Sequence, residues 1–366
     1  MSKIFVEDTN LVAVADAIRT KTGTTEPLVF PNGFKSAIDG ISAGGDDAVE
    51  VIKGILEKSA TDLTLPNGAT KIADGVFSEH KVLQTITLPS SVTSIGTEAF
   101  YDCFNLVTAS LPDGITSIDK RAFYSCDKLA LTSLPSGLTT IGSYAFSNCY
   151  ELALTSLPDG LTSIGEFAFH GCSKITLTSL PDGITAIPKE AFYGCYELAL
   201  TTLPDGITTI GMDAFGSCQE ITLTSLPDGL TSIGYSAFAN CHKLALTSLP
   251  DGITKIESHT FQYCPELPLT SLPDRVTSIG AGAFGGCHKL ALTSLPGGIT
   301  SIGNSAFEYC YGLTTITFQS TPTIATDSFD NCINLTTINV PWAEGEVANA
   351  PWGATNATIN YNYTGE

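Results

Sequence analysis

The eleven cysteines are the residues with the most obvious chemical potential, and all of them follow one spacing. Each lies 23 residues from the next between Cys103 and Cys310, and the last interval, to Cys332, is 22. A zinc site needs two to four thiolates or imidazoles at close spacing, such as C-x-x-C. Stacked repeats would bring neighbouring cysteines within roughly 5 Å, so a disulfide is sterically conceivable. Because the count is odd and disulfides are rare in proteins made in the cytoplasm, we expect buried thiols that pack as small hydrophobes, with no metal and no cofactor.

A column of aspartates recurs with the same period, directly after Leu-Pro. Such carboxylates could bind Ca²⁺ between repeats, or they could simply form turns, since Asp bonds to local backbone. The column lacks the alternating carboxylate and glycine ligands of calcium-binding β-roll repeats, so we favour turn formers. The members are Asp113, Asp159, Asp182, Asp205, Asp228, Asp251 and Asp274.

Catalysis and nucleic-acid binding receive no support from the sequence. The five histidines are scattered, and no G-x-S-x-G, H-E-x-x-H or P-loop motif occurs. The formal net charge is -20, from 17 Lys+Arg against 37 Asp+Glu, whereas nucleic acids and anionic membranes require a basic surface. An enzyme fused to repeats is disfavoured because no segment outside the repeats has the size of a catalytic domain. We therefore expect a non-enzymatic protein without nucleic-acid or membrane-inserting function.

The elements that hold these residues are repeats of 23 residues, and one unit runs C-Y-E-L-A-L-T-S-L-P-D-G-L-T-S-I-G-E-F-A-F-H-G from Cys149. Leucines provide an extended apolar stretch, Pro-Asp-Gly provides a turn, and Phe-x-x-Cys places two apolar residues one turn apart. A unit this short buries its apolar side only by stacking on its neighbours, which predicts a solenoid. Its spine would be formed by columns of phenylalanine and cysteine such as Phe100, Cys103, Phe123, Cys126, Phe146, Cys149, Phe169 and Cys172.

The repeat resembles the BspA-like, or Treponema-type, leucine-rich repeat family, whose units read L-x-x-I-x-L-P-x-x-[LVI]-x-x-I-G-x-x-A-F-x-x-C. The resemblance spans roughly residues 63 to 340 and implies a β-rich leucine-rich repeat solenoid of short strands and short helical or 3-10 turns. Ile86 and Ile316 follow the family spacing, but eight central units, from Leu131 to Leu292, depart from it in the manner of L-A-L-T-S-L-P. The apolar residue there comes one position early. Because a one-residue slip exchanges the two faces of a strand, the central register, or a bulge there, is left open.

The segments outside the repeats predict three domains. Residues 1–45 have helical apolar spacing and would form a small helical attachment module, with a linker to residue 48. Residues 49–340 would form the repeat array, which begins with a capping strand, and residues 341–366 would form a C-terminal cap. Trp342 and Trp352, the two tryptophans, lie in this last segment. They could stack on sugars, but we favour the interpretation that they cover the last open coil.

Both ends also resemble tail-associated proteins of phages and prophages of gut bacteria, through F-V-E-D-T-N-L-V-A-V-A-D-A-I-R-T-K-T-G near the start and V-P-W-A-E-G-E-V-A-N-A-P-W-G near the end. The resemblance implies a virion tail protein that attaches to other tail proteins through its N-terminal module and recognises the host surface. Residues 1–8 contain no signal-peptide core, which favours cytoplasmic synthesis followed by assembly into a virion. The alternative is a BspA-like adhesin or host-interaction protein at the bacterial cell surface. Because the N-terminal module alone has a marginal core, we expect it to dock onto a partner or to form a homo-oligomer.

Variable positions around each Phe-x-x-Cys turn are the best sequence guide to binding, because they hold ten of the twelve tyrosines. Tyrosine combines a large contact area with a polar tip, which suits recognition of a surface protein or glycan. The alternative is that these aromatics only cover the turns. The candidate ligand-binding residues are Tyr124, Tyr144, Tyr150, Tyr193, Tyr196, Tyr235, His242, Tyr263, His288, Tyr309 and Tyr311.

A column of charges two residues after each cysteine nearly alternates in sign, and it predicts ion pairs between neighbouring coils. Each exposed pair would contribute about 0–1 kcal/mol, with a larger effect on register. The column consists of Lys128, Glu151, Lys174, Glu197, Glu220, Lys243, Glu266 and Lys289.

Overall fold

The computed structural model describes residues 58–65, 67 and 69–365. The chain divides into two compact units, residues 1–173 and 174–366, and each is described by itself. The helical module at residues 1–45, its linker and the capping strand from residue 49 lie outside the described residues, so the three-domain division stays a prediction. The described residues of each unit form a β-solenoid, as the repeat predicts.

The first unit contains two parallel sheets, with strand orders β1-β3-β5 and β2-β4-β6-β7-β8. Strands pair with the equivalent residues one repeat away, so that Thr140 lies beside Ser163. The strands are β1 Asp62–Thr64, β2 Lys71–Ile72, β3 Thr85–Thr87, β4 Ser94–Ile95, β5 Thr108–Ser110, β6 Ser117–Ile118, β7 Thr140–Ile141 and β8 Ser163–Ile164.

The second unit contains three parallel sheets, with orders β9-β10-β11, β12-β13-β14-β16 and β15-β17-β18. The step falls to 22 residues where Ser301 pairs with Thr323, in agreement with the shorter last cysteine interval. The strands are β9 Ala186–Ile187, β10 Thr209–Ile210, β11 Ser232–Ile233, β12 Lys255–Ile256, β13 Ser278–Ile279, β14 Ser301–Ile302, β15 Thr315–Thr317, β16 Thr323–Ile324, β17 Thr337–Asn339 and β18 Thr358–Asn360.

The Phe-x-x-Cys segments form turns whose amide groups alternate between two kinds of partner. Tyr101 and Cys103 donate to carbonyl oxygens three residues earlier, at 3.1 and 3.2 Å. Phe100 and Asp102 instead donate to carbonyl oxygens of the following coil, at 2.7 and 2.8 Å. Single 3-10-type turns are therefore present, but no continuous helix forms in the residues that the structure describes. The turns of successive coils are joined by a hydrogen-bond ladder, as strands are.

The structure shows the register of the central L-A-L-T-S-L-P segments, which the sequence leaves open. Leu152 and Leu154 are both fully buried and Leu157 is 6% exposed, whereas Thr155 and Ser156 both face solvent. Two consecutive outward residues thus absorb the one-residue slip, and the apolar residues stay on the core side. No strand is assigned to the segments equivalent to β5 between β6 and β7 or from β7 to the start of β15. Regular β pairing is therefore lost at this point in both units.

The core consists of columns of identical side chains. Phenylalanine rings stack in parallel, with centroids 4.9 Å apart for Phe100 and Phe123 in the first unit and 5.4 Å apart for Phe215 and Phe238 in the second. Such pairs contribute about 0.5–1.5 kcal/mol beyond the burial of their surface. The predicted spine residues Phe100, Cys103, Phe123, Cys126, Phe146, Cys149, Phe169 and Cys172 are all fully buried.

The two tryptophans belong to the core at the C-terminal end. Trp352 is fully buried and Trp342 is 3% exposed. Both rings pack against Phe318, with centroids 6.1 and 5.4 Å away, and the Trp352 indole donates to the Ala348 carbonyl at 2.7 Å. Their location matches the capping interpretation and leaves no open ring for a sugar.

Candidate ligand-binding surface

We use the term turn layer for the segment of each coil around Phe-x-x-Cys, for example Glu166–Ser173 in the first unit. Two positions per coil in this layer have a left-handed backbone conformation, although the residue is usually not glycine. Tyr144 (φ 60°), Tyr263 (φ 57°) and Tyr309 (φ 58°) are examples. Left-handed backbone costs a residue with a side chain about 1–2 kcal/mol. The inter-coil ladder holds these residues in place, and it fixes where their side chains leave the backbone.

In the first unit the aromatic side chains of the turn layer stack on one another. Tyr144 stacks on Phe167 with centroids 4.4 Å apart and planes 6° apart, and the Arg121 guanidinium lies 5.5 Å from the centre of the Tyr144 ring. Arg121 also forms an ion pair with Glu98 at 3.1 Å. One column therefore contains an ion pair, a cation–π contact and a ring stack in succession. Tyr124 stacks on Tyr101 in the adjacent column, with centroids 5.1 Å apart.

In the second unit the tyrosines are more exposed. Tyr193, Tyr196, Tyr235, Tyr263 and Tyr309 are 36%, 50%, 44%, 51% and 40% exposed. In the first unit Tyr150 is 45% exposed. Partial burial, and secondly the negative charge of Asp127, raise the pKa of the Tyr150 hydroxyl. Six of the candidate tyrosines thus present substantial surface to solvent, which is the condition for contact with a partner.

One candidate histidine, His288, forms a small cluster with the candidate tyrosines Tyr309 and Tyr311. His242 and His288 are exposed, and Tyr311 is half-buried. The rings of His288 and Tyr311 stack with centroids 4.7 Å apart, and Tyr309 approaches Tyr311 edge-on at 6.3 Å. Three predicted residues therefore meet at one place.

Sequence reasoning missed the residues that orient these aromatics. Glu98, Arg121 and Phe167 complete the first-unit column, and they are visible in the sequence as occupants of the same repeat position as Tyr144. In the second unit the Tyr193 ring fills the space that a side chain at Gly216 would need, since a Cβ there would lie 2.8 Å from its Cδ2. The contacts between these residues depend on the direction in which each side chain points, and the repeat spacing alone does not give that direction.

The thiols are used for packing and hydrogen bonding. All eleven cysteines are buried thiols. The Cys149 Sγ donates to the Phe123 carbonyl oxygen of the preceding coil at 3.1 Å, and equivalent bonds recur in both units. Burial raises the pKa of the Cys103, Cys264 and Cys332 thiols to about 12. A neutral thiol at this depth is not a nucleophile or a metal ligand.

The aspartate column lies on an exposed edge of each unit. Asp113 accepts hydrogen bonds from the Ser136 amide and hydroxyl, both at 3.1 Å. In the second unit two grooves of about 570 and 610 Å³ lie between successive turns, one beside Asp205 and Asp228 and the other beside Asp251. No group of three or more His, Cys, Asp or Glu side chains suited to a metal ion occurs among the described residues. The geometry is that of exposed turn formers.

The threonines beside the two-residue strands bond to the backbone of the neighbouring coil. Thr139 Oγ1 donates to the Thr116 carbonyl at 3.0 Å, and Thr300 Oγ1 donates to the Thr277 carbonyl at 3.0 Å. These hydroxyls are therefore already engaged in holding the coils together. The turn layer, by contrast, has ring surface that is not engaged.

Two of the predicted ion pairs of the charge column are present in the second unit. Lys243 Nζ lies 2.5 Å from Glu220 Oε2, and Lys289 forms a short ion pair with Glu266. All four side chains are about half exposed, so solvent screens each pair.

A family model described as "BspA type Leucine rich repeat region" matches residues 56–157, 151–268 and 254–349, with six copies. The chain belongs to the BspA-type leucine-rich repeat family. Its structure is similar to a leucine-rich repeat protein from Bacteroides ovatus, with 24% identity, a TM-score of 0.51, and coverage of 82% of this chain and 91% of that one. It is also similar to a leucine-rich cell surface protein from Faecalibacterium prausnitzii, with 29% identity, a TM-score of 0.53, and coverage of 78% and 89%. None of the curated proteins compared with the chain matches it.

BspA-type repeats form interaction scaffolds. The general function of this chain is therefore the binding of a protein or surface partner. Of the residues that the structure describes, none belongs to a helix long and apolar enough to cross a membrane.

Proposed function

We propose that this BspA-type repeat protein is a non-enzymatic recognition protein that acts at a bacterial cell surface and binds a protein or glycan through its turn layer. The observation that carries the proposal is the exposure of Tyr150, Tyr196, Tyr263 and Tyr309, each at least 40%. The phenylalanine column of the repeat and the two tryptophans of the C-terminal cap, by contrast, are buried. Exposed tyrosines provide contact area at a low cost in side-chain entropy. The similarity to a leucine-rich cell surface protein supports the location.

Binding of the labelled full-length protein to bacterial and epithelial cells tests this proposal. A variant with Tyr150, Tyr196 and Tyr309 changed to serine should lose at least tenfold in apparent affinity, because hot-spot aromatics dominate interface energies. The matched control changes Asp159, Asp182 and Asp205 to asparagine, on the exposed turn edge. Equal binding by the tyrosine variant and the native protein would refute the role of the turn layer.

A second candidate is a receptor-binding protein of a phage or prophage tail, which would bind other tail proteins through residues 1–45. It rests on the resemblance of the two end segments to tail-associated proteins. The neighbouring genes discriminate the two candidates, since tail and lysis genes favour the virion and surface-export genes favour the cell surface. Virions assembled without this protein should then fail to adsorb to the host.

A further inference from the structure

One coil of the second unit has almost no side chains in its turn layer. Its sequence from Gly280 is G-A-G-A-F-G-G, so that all positions except the core phenylalanine are glycine or alanine. Gly282, Gly285 and Gly286 occupy three positions that carry larger side chains in most other coils. This is the only such stretch among the turn layers that the structure describes.

Side chains of the preceding coil occupy the space above these glycines. A Cβ on Gly286 would lie 2.7 Å from Cδ1 of Tyr263, and a Cβ on Gly282 would lie 2.5 Å from Nδ1 of His259. Cγ of Gln262 is 3.8 Å from the Cβ position of Gly285. Tyr263 nevertheless remains 51% exposed. The glycines therefore support a ring that is anchored on one side and open to solvent on the other.

Two polar residues and a second tyrosine belong to the same ladder of coils as Tyr263. Its amide donates to the Gly285 carbonyl at 2.7 Å, and the Gly286 amide donates to the Glu308 carbonyl at 2.7 Å, so Glu308 and Tyr309 belong to the next coil of the same ladder. Tyr309 is 40% exposed. Gln262 and Glu308 hold the repeat position of Gly285 in the preceding and the following coil. The Gln262 amide can donate and accept hydrogen bonds, and the Glu308 carboxylate can accept them.

We propose that Tyr263, Gln262, Glu308 and Tyr309, held around the glycine-rich coil, form a binding site for a neutral saccharide. A pyranose ring presents C–H groups on its faces and hydroxyls at its edge. An exposed, anchored aromatic ring beside an amide and a carboxylate complements both parts. The net charge of -20 repels uronic and sialic acids, which is why the proposal specifies a neutral ligand. The inference rests on the proposed function and names the ligand class of one part of that surface.

The test is binding of the full-length protein to an immobilised panel of neutral and anionic oligosaccharides. We expect retention by at least one neutral oligosaccharide, and at least a tenfold loss of affinity in Tyr263→Ala. Gly286→Ser should cause a similar loss, because its Cβ would displace the Tyr263 ring, while serine occupies the same position with φ 63° at Ser217. Phe104→Ala is the control, since Phe104 is 37% exposed and lies in the first unit. Circular dichroism melting curves verify that each variant is folded.

Two outcomes would overturn the inference. One is no retention on any neutral oligosaccharide, and the other is equal binding by Tyr263→Ala and the native protein. If cells still bind the native protein while the oligosaccharide panel does not, the inference fails and the proposed function stands. If the native protein binds neither cells nor oligosaccharides, both fail.

Discussion

The thiol of Cys149 donates a hydrogen bond to the carbonyl oxygen of Phe123, one coil earlier, over 3.1 Å. The same oxygen accepts the amide of Cys126 at 3.2 Å, so each phenylalanine carbonyl serves two coils. The cysteine column therefore connects the backbone of adjacent coils as well as filling space. A small side chain with a weak donor meets both requirements.

Cys149→Ala should lower the free energy of unfolding by about 1–2 kcal/mol, because it removes both the bond and buried volume. Cys149→Ser keeps a donor and should cost less than the alanine variant. Urea titration followed by circular dichroism measures both. Equal losses in the two variants would show that the thiol acts through packing alone.

Alkaline pH should destabilise the protein through its thiols. Burial raises the pKa of Cys103, Cys264 and Cys332 to about 12, against 9.0 for a free thiol. The stabilisation from keeping these groups protonated is complete below pH 9 and is lost as the pH rises from about 9 towards 12. Each thiol reduces the unfolding free energy by about 1.4 kcal/mol per pH unit in that range. Melting temperatures between pH 7 and 11 should fall above pH 9; a flat profile would contradict the burial.

Replacing a stacked phenylalanine should destabilise the protein far more than replacing an exposed one. Phe215→Ala removes a fully buried ring that stacks on Phe192 and Phe238, and should cost about 3–5 kcal/mol. Phe104→Ala, at a position 37% exposed, should stay within about 0.5 kcal/mol of the native protein. Chemical denaturation of the two variants provides the comparison, and similar losses would argue against a stacked core.

Glycine and alanine substitutions should rank in opposite order of stability at two tyrosines of the turn layer. At Tyr144, where φ is 60°, Tyr144→Gly should be about 1 kcal/mol more stable than Tyr144→Ala. At Tyr150, which is not among the residues with positive φ, alanine should be the more stable replacement. Melting temperatures of the four variants test the left-handed assignment. The same ranking at both positions would contradict it.

Calcium should leave the melting temperature unchanged. The aspartates such as Asp159 and Asp205 are exposed turn residues, and the described residues contain no cluster suited to a metal ion. Scans with 5–10 mM CaCl₂ and with EDTA should superimpose, since a ligand that binds only the folded state would raise the melting temperature. A calcium-dependent rise that is absent from the variant with both residues changed to asparagine would instead reveal a cation site.

The repeat period determined most of the fold. Because every 23rd residue occupies the same place in a coil, the columns headed by Phe100 and Cys103 could be assigned to the core without coordinates. The shorter last step, to Cys332, corresponds to the 22-residue step at which Ser301 pairs with Thr323. Local turn chemistry also predicted the exposed aspartate edge.

Only the tertiary structure decided how residues of neighbouring coils meet. The sequence showed the slip in L-A-L-T-S-L-P but not that Thr155 and Ser156 would both face solvent, since this depends on which arrangement keeps Leu154 and Leu157 buried together. It showed Tyr263 and Gly286 as separate occupants of one repeat position, but not that the ring leans into the space above the glycine. The repeat period specifies which position in a coil a residue holds. The direction in which its side chain points depends on the size of the residue at that position in the next coil.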